Sequence, residues 1–203
     1  MSASRPDSSR EQLLQAALAY FARHGVHNQS LRSLASAIGT SHRMLNYHFG
    51  SREGLLAEVV AAVERRQRET FAALAGTGGS ASLRETAQLF WTRVVAETLT
   101  YGPLLFELSV HAMQGENHAA DLRNTLITPW LDVLEASLLR NGFAPETARI
   151  RARLALAAVN GLLFDLLLTG DRKGVDEAHG LLLELLGVDD HGADEDKPRD
   201  VAH

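Results

Sequence analysis

Cysteine is absent from the 203-residue chain, which excludes disulfides and thiolate metal sites and fits a reducing cytosol. No segment alternates apolar and polar residues convincingly with period two, so no strand is expected. No glycine-rich phosphate loop follows a strand and no nucleophile elbow occurs, which removes the common enzymatic signatures. His111, Glu116 and His118 could be called a metal cluster, but they straddle a glycine-containing turn and match no recognised ligand spacing. The expectation is therefore a protein that is not an enzyme and has no metal or cofactor. The first ten residues, MSASRPDSSR, hold no apolar run and do not form a signal peptide. Residues 154–168 are the most apolar stretch, interrupted by Asn160, Gly161 and Asp165. They fall short of the roughly twenty residues a membrane span needs. A cytoplasmic protein without a membrane partner is expected.

What is present is a chain with 45% apolar residues, enough for a substantial core in one good-sized domain or two small ones. Its formal net charge of −5 is unevenly placed. Residues 1–75 hold nine Arg and six acids, a balance of +3, whereas residues 76–203 hold eleven bases and nineteen acids, a balance of −8. Such a split points to an N-terminal nucleic-acid module on a body that does not bind nucleic acid.

Residues 30–56, SLRSLASAIGTSHRMLNYHFGSREGLL, organise the rest. Leu31, Leu34, Ala35 and Ile38 have the i, i+3, i+4, i+7 spacing of one helix face. Gly39 stands where a chain leaving a helix needs positive φ, and Ser41 follows as an N-cap. The next segment, 42–49, turns Leu45 and Phe49 to one side. Two short helices joined by a glycine turn describe a helix-turn-helix, whose second helix enters the DNA major groove. Its outward face then carries His42, Arg43, Asn46 and Tyr47, with Met44 and His48 flanking. Arg, Asn and His can hydrogen-bond base edges, and Met can touch a thymine methyl. Ser51 caps the following helix, and Arg52 adds a full charge to a helix N-terminus that already suits phosphate.

With Ala16-Ala17, Phe21, Gly25, Ser30-Leu31-Arg32, Leu34-Ala35, Gly39, Leu45, Tyr47-His48-Phe49 and Ser51-Arg52-Glu53-Gly54-Leu55-Leu56 at these spacings, the chain resembles the TetR family of transcriptional regulators over residues 10–60. Arg43 and Asn46 depart from it, standing where the family usually has a small residue and an aromatic. Both departures bear on which operator is read. The resemblance implies that Ser30 caps its helix beside a phosphate, that Arg32 reaches a base or a phosphate, and that Tyr47 and His48 hold phosphates. With Thr40 and Ser41 in the turn, the expected DNA-binding set is Ser30, Arg32, Thr40, Ser41, His42, Arg43, Met44, Asn46, Tyr47, His48 and Arg52.

The expected fold is all-α: an N-terminal three-helix DNA-binding domain with a helix-turn-helix, plus a C-terminal helical bundle for ligand binding and dimerisation. Residues 1–9 read as a flexible arm, in which Arg5, with Arg10 just beyond, could track DNA. Residues 10–56 form the DNA-binding domain, starting with a helix of Leu13, Leu14, Ala17, Leu18 and Phe21. A long helix runs from 51 to about 75, on the order of 36 Å, with Leu55, Leu56, Val59, Val60, Val63 and Phe71 inward. Residues 76–80 read as a loop, and 80–187 as the C-terminal domain. There the pattern predicts a helix over 83–99 with Leu83, Ala87, Phe90, Val94 and Leu99 inward, beside Trp91 and Val95. A break follows at Tyr101-Gly102-Pro103, and a shorter helix covers 104–113. Further helices cover 122–140, with a kink or restart at Pro129, then 145–169 and a last one ending at 186. Residues 188–203 read as a disordered acidic tail.

The penultimate helix is apolar around nearly its whole circumference, which means burial on all sides, part of it by a second subunit. A homodimer joined by the last two helices of each chain is expected, through Leu156, Leu163, Leu167, Leu182 and Leu186. The resemblance implies the same arrangement and a small-molecule effector site. Phe90, Trp91, Val94, Leu105, Phe106, Trp130 and Phe164 could line it, with His111 and Asn160 among its polar groups. The function expected is a ligand-responsive regulator of a double-stranded DNA operator, a repressor released by an apolar or amphipathic effector. The alternatives are an activator of the same fold or a helical small-molecule sequestering protein.

Overall fold

Among the residues described by the computed structural model (6–25, 30–76 and 82–188), every regular element is helical. In order these are α1 (Pro6–His24), α2 (Leu31–Ala37), α3 (His42–Phe49), α4 (Arg52–Gly76), α5 (Leu83–Gln114), α6 (Leu122–Thr125), α7 (Thr128–Arg140), α8 (Pro145–Thr169) and α9 (Arg172–Leu185), with a 3-10 turn at Asn117–Ala119 before α6. Arg5, residues 77–81 of the loop and residues 189–203 of the tail lie outside the described residues. Helix α1 begins at Pro6, ahead of the start expected at Arg10. Proline at a first helical position has no amide to lose.

The chain divides into two compact units, one of Met1–Gln67 with Ala96–Ile127 and one of Arg68–Val95 with Thr128–His203. The first is built on one apolar cluster. Leu14, Ala17, Leu18 and Phe21 of α1, Leu31, Leu34 and Ala35 of α2, Leu45 and Phe49 of α3, and Leu55, Leu56, Val59, Val60 and Val63 of α4 contribute to it. Tyr101, Leu104, Leu108, Ala112, Ala119 and Leu122 complete it, which is why residues 96–127 group with α1 to α3. Tyr101 also donates its hydroxyl to the Leu18 carbonyl at 3.1 Å.

Here the structure departs from the expected break. Helix α5 runs unbroken through Pro103. Proline removes one amide donor from the ladder, yet Val94, Val95, Thr98, Tyr101, Leu104, Leu108 and Ala112 are all buried at three- and four-residue spacing. That continuous buried face outweighs the one lost bond. The same register turns Leu99 outward, 60% exposed, against the expectation that it faced in.

The second unit holds smaller clusters. Leu138, Ala148, Ala152, Leu182, Leu183, Leu186 and Val188 form one. Trp91, Val94, Val95, Leu163, Leu166 and Val175 form another. Phe71, Trp130 and Leu156 form a third. Pro129 lies in the first turn of α7, a fresh start and not a kink. Val188, expected in a solvated tail, is buried instead. Its amide donates to the Leu183 carbonyl at 2.9 Å while that of Gly187 donates to Glu184, the paired bonds that close a helix C-terminus and bring an apolar residue back onto the last turn.

Candidate nucleic-acid interface

The turn between α2 and α3 is set by backbone hydrogen bonds. Gly39 has φ +72°, a conformation that costs side-chain-bearing residues strain. Its amide donates to the Ser36 carbonyl, and the Thr40 amide donates to Ala35 at 2.9 Å. Ser30 and Ser41 cap the two helices, accepting at 3.1 Å from the amides of Ser33 and Met44. Each satisfies a donor that a helix start leaves unpaired.

Leu45 and Phe49 are buried, Leu45 completely, so α3 has one permitted orientation against its support. That leaves His42, Arg43, Asn46 and Tyr47 exposed, and Met44 on the margin at 38%. Ser30, Arg32 and Ser41 are exposed, and Thr40 is half-buried in the turn. A row of guanidinium, imidazole, amide and phenol groups on one side of a short helix matches the donors and acceptors of base edges and phosphates. His48 fits this row less well than expected. Its Nε2 is buried and has no hydrogen-bond partner among the described residues, and its ring packs against those of Tyr47 and Phe49.

The start of α4 is equally constrained. Ser51 Oγ accepts the Gly54 amide at 3.0 Å. A Cβ at Gly54 would lie 2.2 Å from the Phe49 carbonyl oxygen, so only glycine allows this close approach of α4 to the end of α3. Arg52 stands in the first turn, 3.9 Å from Glu53, where the helix end presents partial positive charge. Arg10, offered from sequence as a DNA-tracking residue, has another occupation. It pairs with Glu58 at 2.5 Å and lies over the Phe49 ring at 5.3 Å, tying α1 to α3 and α4. No spacing rule reveals a partner 48 residues away.

The family profile described as bacterial regulatory proteins, tetR family, matches residues 13–59, the span that contains this motif. That span carries the DNA-binding module of the tetR family. It is similar to the HTH-type transcriptional regulatory protein RaaS of Mycobacterium tuberculosis, 29% identical over 157 residues, covering 76% of this chain and 68% of that protein. A TetR-family transcriptional regulator from Pectobacterium atrosepticum shares the fold with TM-score 0.67 and 18% identity, over 95% of this chain and all of that one. A TetR transcriptional regulator from Legionella pneumophila does so with TM-score 0.61 and 22% identity, over 91% and 99%. These likenesses identify a DNA-binding transcriptional regulator.

The residues expected around an effector fall into several groups. Phe90 and Trp130 meet Phe71 in an aromatic cluster, with ring centroids 5.2–6.4 Å apart; sequence reasoning treated Phe71 only as a packing residue. Trp91 and Val94 belong to the neighbouring cluster. There Trp91 stacks on His179 at 4.3 Å and donates its indole N–H to Asp176 at 2.6 Å. Burial holds the His179 imidazole down at about 4 against its ordinary 6.5; the Asp176 carboxylate opposes that shift and Arg84 adds to it. Asp176 is itself held low, chiefly by its bond from Arg172 and also by that from Trp91. Leu105, Phe106 and His111 lie in the first unit. Asn160 is half-buried, and Phe164, expected inside, is 48% exposed.

The residues expected at a dimer interface lie mostly inside the chain. Leu156, Leu163, Leu182 and Leu186 are buried within the chain's own clusters, and Leu167 is half-buried. Leu156 and Leu163 lie on the inner side of α8, and Leu182 and Leu186 on the inner side of α9 and its C-terminus. The other side of α8 exposes Ile150, Leu154, Ala157, Gly161, Phe164 and Leu168, spaced three and four apart, while α9 exposes Ala178, Leu181 and Leu185. Helix α8 is long and apolar enough to cross a membrane by length and composition alone. Its Ala148, Ala152, Leu156, Leu163 and Leu166 nevertheless pack as the inner face of a helical bundle.

The grouping His111, Glu116 and His118, set aside on sequence grounds, is brought together by the turn that seemed to separate it.

Proposed function

We propose that the protein is a cytoplasmic, homodimeric repressor that reads a palindromic operator and is released by a small apolar or amphipathic effector. The observation that carries this reading is the outward face of α3, polar and basic over a fully buried Leu45. In it Arg43, His42 and Asn46 meet base edges, while Arg52, Tyr47 and Ser30 hold phosphates. Two such helices related by a dyad enter successive major grooves, so the half-site spacing follows from the dimer. The uncovered apolar side of α8 with that of α9 is the surface that joins two chains. Gly161 and Ala157 at its middle allow close helix approach.

The DNA-binding domain in this reading is residues 10–56, followed by a ligand-binding and dimerisation domain. The effector enters among Phe71, Phe90 and Trp130, where aromatic surface favours an apolar ligand. Phe71 lies on α4, the helix whose first turn carries Arg52, so a ligand that prefers one placement of α4 changes operator affinity by that preference and no more. Selection of binding sites from random duplexes, followed by mobility shifts, tests the reading. Salt-sensitive retention of one palindromic sequence is the expected result. Equal affinity for every duplex, or none, overturns it.

A further inference from the structure

We propose that His111, Glu116 and His118 form a binding site for a divalent transition-metal ion of the zinc class. His111 Nδ1 and His118 Nε2 are 3.0 Å apart. Glu116 Oε2 is 3.9 Å from His111 Nδ1 and 3.5 Å from His118 Nδ1, the ring nitrogen on the other side from the one that meets His111. One ligand atom from each residue lies within 4.8 Å of the others. An ion bonded to imidazole nitrogen and carboxylate oxygen at roughly 2.0–2.2 Å has donors about 3 Å apart around it, the separation the two rings already have. The carboxylate, on a side chain 43% exposed, closes the remaining gap by rotation. An imidazole–imidazole hydrogen bond alone accounts for the ring contact. The presence of a third, anionic donor within 4.8 Å of both rings is what calls for a cation.

The donor set selects the class. Two imidazoles with one carboxylate suit zinc, cobalt or nickel, whereas calcium and magnesium take oxygen ligands. The site is also held in shape by its backbone. The Glu116 amide donates to the carbonyl of His111 itself at 3.1 Å, Gly115 donates to Ala112 at 3.2 Å, and Ala119 donates to Glu116 at 3.1 Å. Beneath the turn, Ala112 and Ala119 are buried, so the ligands stand on a packed base, as an organised site requires. All three side chains keep partial exposure, which lets an ion enter.

The site lies in the DNA-reading unit. Leu108, Ala112, Ala119 and Leu122, which surround the ligands in sequence, share one apolar cluster with Phe21, Leu45 and Leu55. An ion that ties the end of α5 to the following turn therefore acts on the support of α3. This second step rests on the function proposed above.

Titration of the full-length protein with Co²⁺, followed by visible d–d absorption, and with Zn²⁺ by calorimetry tests the site. One ion per chain is expected, with binding weakened at least about tenfold in Glu116→Gln and in His118→Ala. Absence of binding, or unchanged affinity in both variants, overturns the site. Should His118→Ala fail to fold, Glu116→Gln on the exposed turn decides alone. For the coupling, the readout is operator affinity with and without Zn²⁺. A change that Glu116→Gln abolishes supports it, and identical affinities at full occupancy overturn it while leaving the site established.

Discussion

Helices α3 and α8 each leave one side uncovered, and the two sides have opposite chemistry. On α3 the uncovered residues are His42, Arg43, Asn46 and Tyr47, with Leu45 and Phe49 turned in. On α8 they are Ile150, Leu154, Ala157, Gly161, Phe164 and Leu168, over an inner row that is just as apolar. A helix with one apolar side has a single way to pack, so its polar side is set outward for a partner that carries charge and hydrogen-bonding edges. A helix apolar on both sides fills its chain's core with one and leaves the other exposed, the surface that the proposed dimer covers.

The largest expected effect separates the two sides of α8. Leu168→Arg places a charge on the uncovered face, 71% exposed in one chain. It should yield folded monomers by sedimentation, burial of an unpaired charge in the dimer costing ~3–5 kcal/mol. Leu163→Arg puts the same charge among Trp91, Val94 and Val175 and should unfold the second unit, seen as lost helicity by circular dichroism. A folded monomer from Leu163→Arg and a dimer from Leu168→Arg would reverse the assignment of inner and outer faces.

Acid should strike the second unit next. His179 has a folded-state pKa of about 4 against 6.5, so the folded form resists a proton that the unfolded chain accepts. The associated stability is fully present above about pH 6.5 and is lost as pH falls toward 4, by roughly 3 kcal/mol in all. Denaturant unfolding across that range measures it. His179→Phe, which keeps a ring against Trp91, should flatten the profile; an unchanged pH slope in the variant would remove His179 as its source.

On the polar face, Arg43→Ala should cost ~1–3 kcal/mol at particular base pairs, and equal losses on selected and random DNA would exclude it from base reading. Gly54→Ala should lower thermal stability by ~1–3 kcal/mol through overpacking against the Phe49 carbonyl, since its Cβ would stand 2.2 Å from that oxygen. Arg52→Ala should give the smallest change. It weakens binding to all sequences alike and reduces the salt slope by about one.

Much of this was legible before any coordinates. The serine caps at Ser30 and Ser41, the glycine turn at Gly39 and the inward pair Leu45 and Phe49 are local patterns, each decided within a few residues. The helix from Pro145 to Thr169 was legible too, because Pro145 opens it and Gly170 ends it. The break expected at Pro103 was a local inference that a long-range term defeated, for Tyr101, Leu104 and Leu108 are held by α1 and α4. The same is true of Arg10, whose partner Glu58 no periodicity could name. The grouping of Phe71, Phe90 and Trp130 was not legible, because aromatic content says that a side chain packs, not where.

By itself the amino-acid order determined the reading head and the family, since backbone propensity, capping and apolar period act between near neighbours and leave a readable trace. Tertiary structure alone decided which leucines of α8 and α9 enter the chain's own core and which stay exposed. It also decided that two histidines and a glutamate meet across a turn. Both depend on distances between groups that the order of residues does not encode, and on which of two equally apolar surfaces the rest of the chain reaches first.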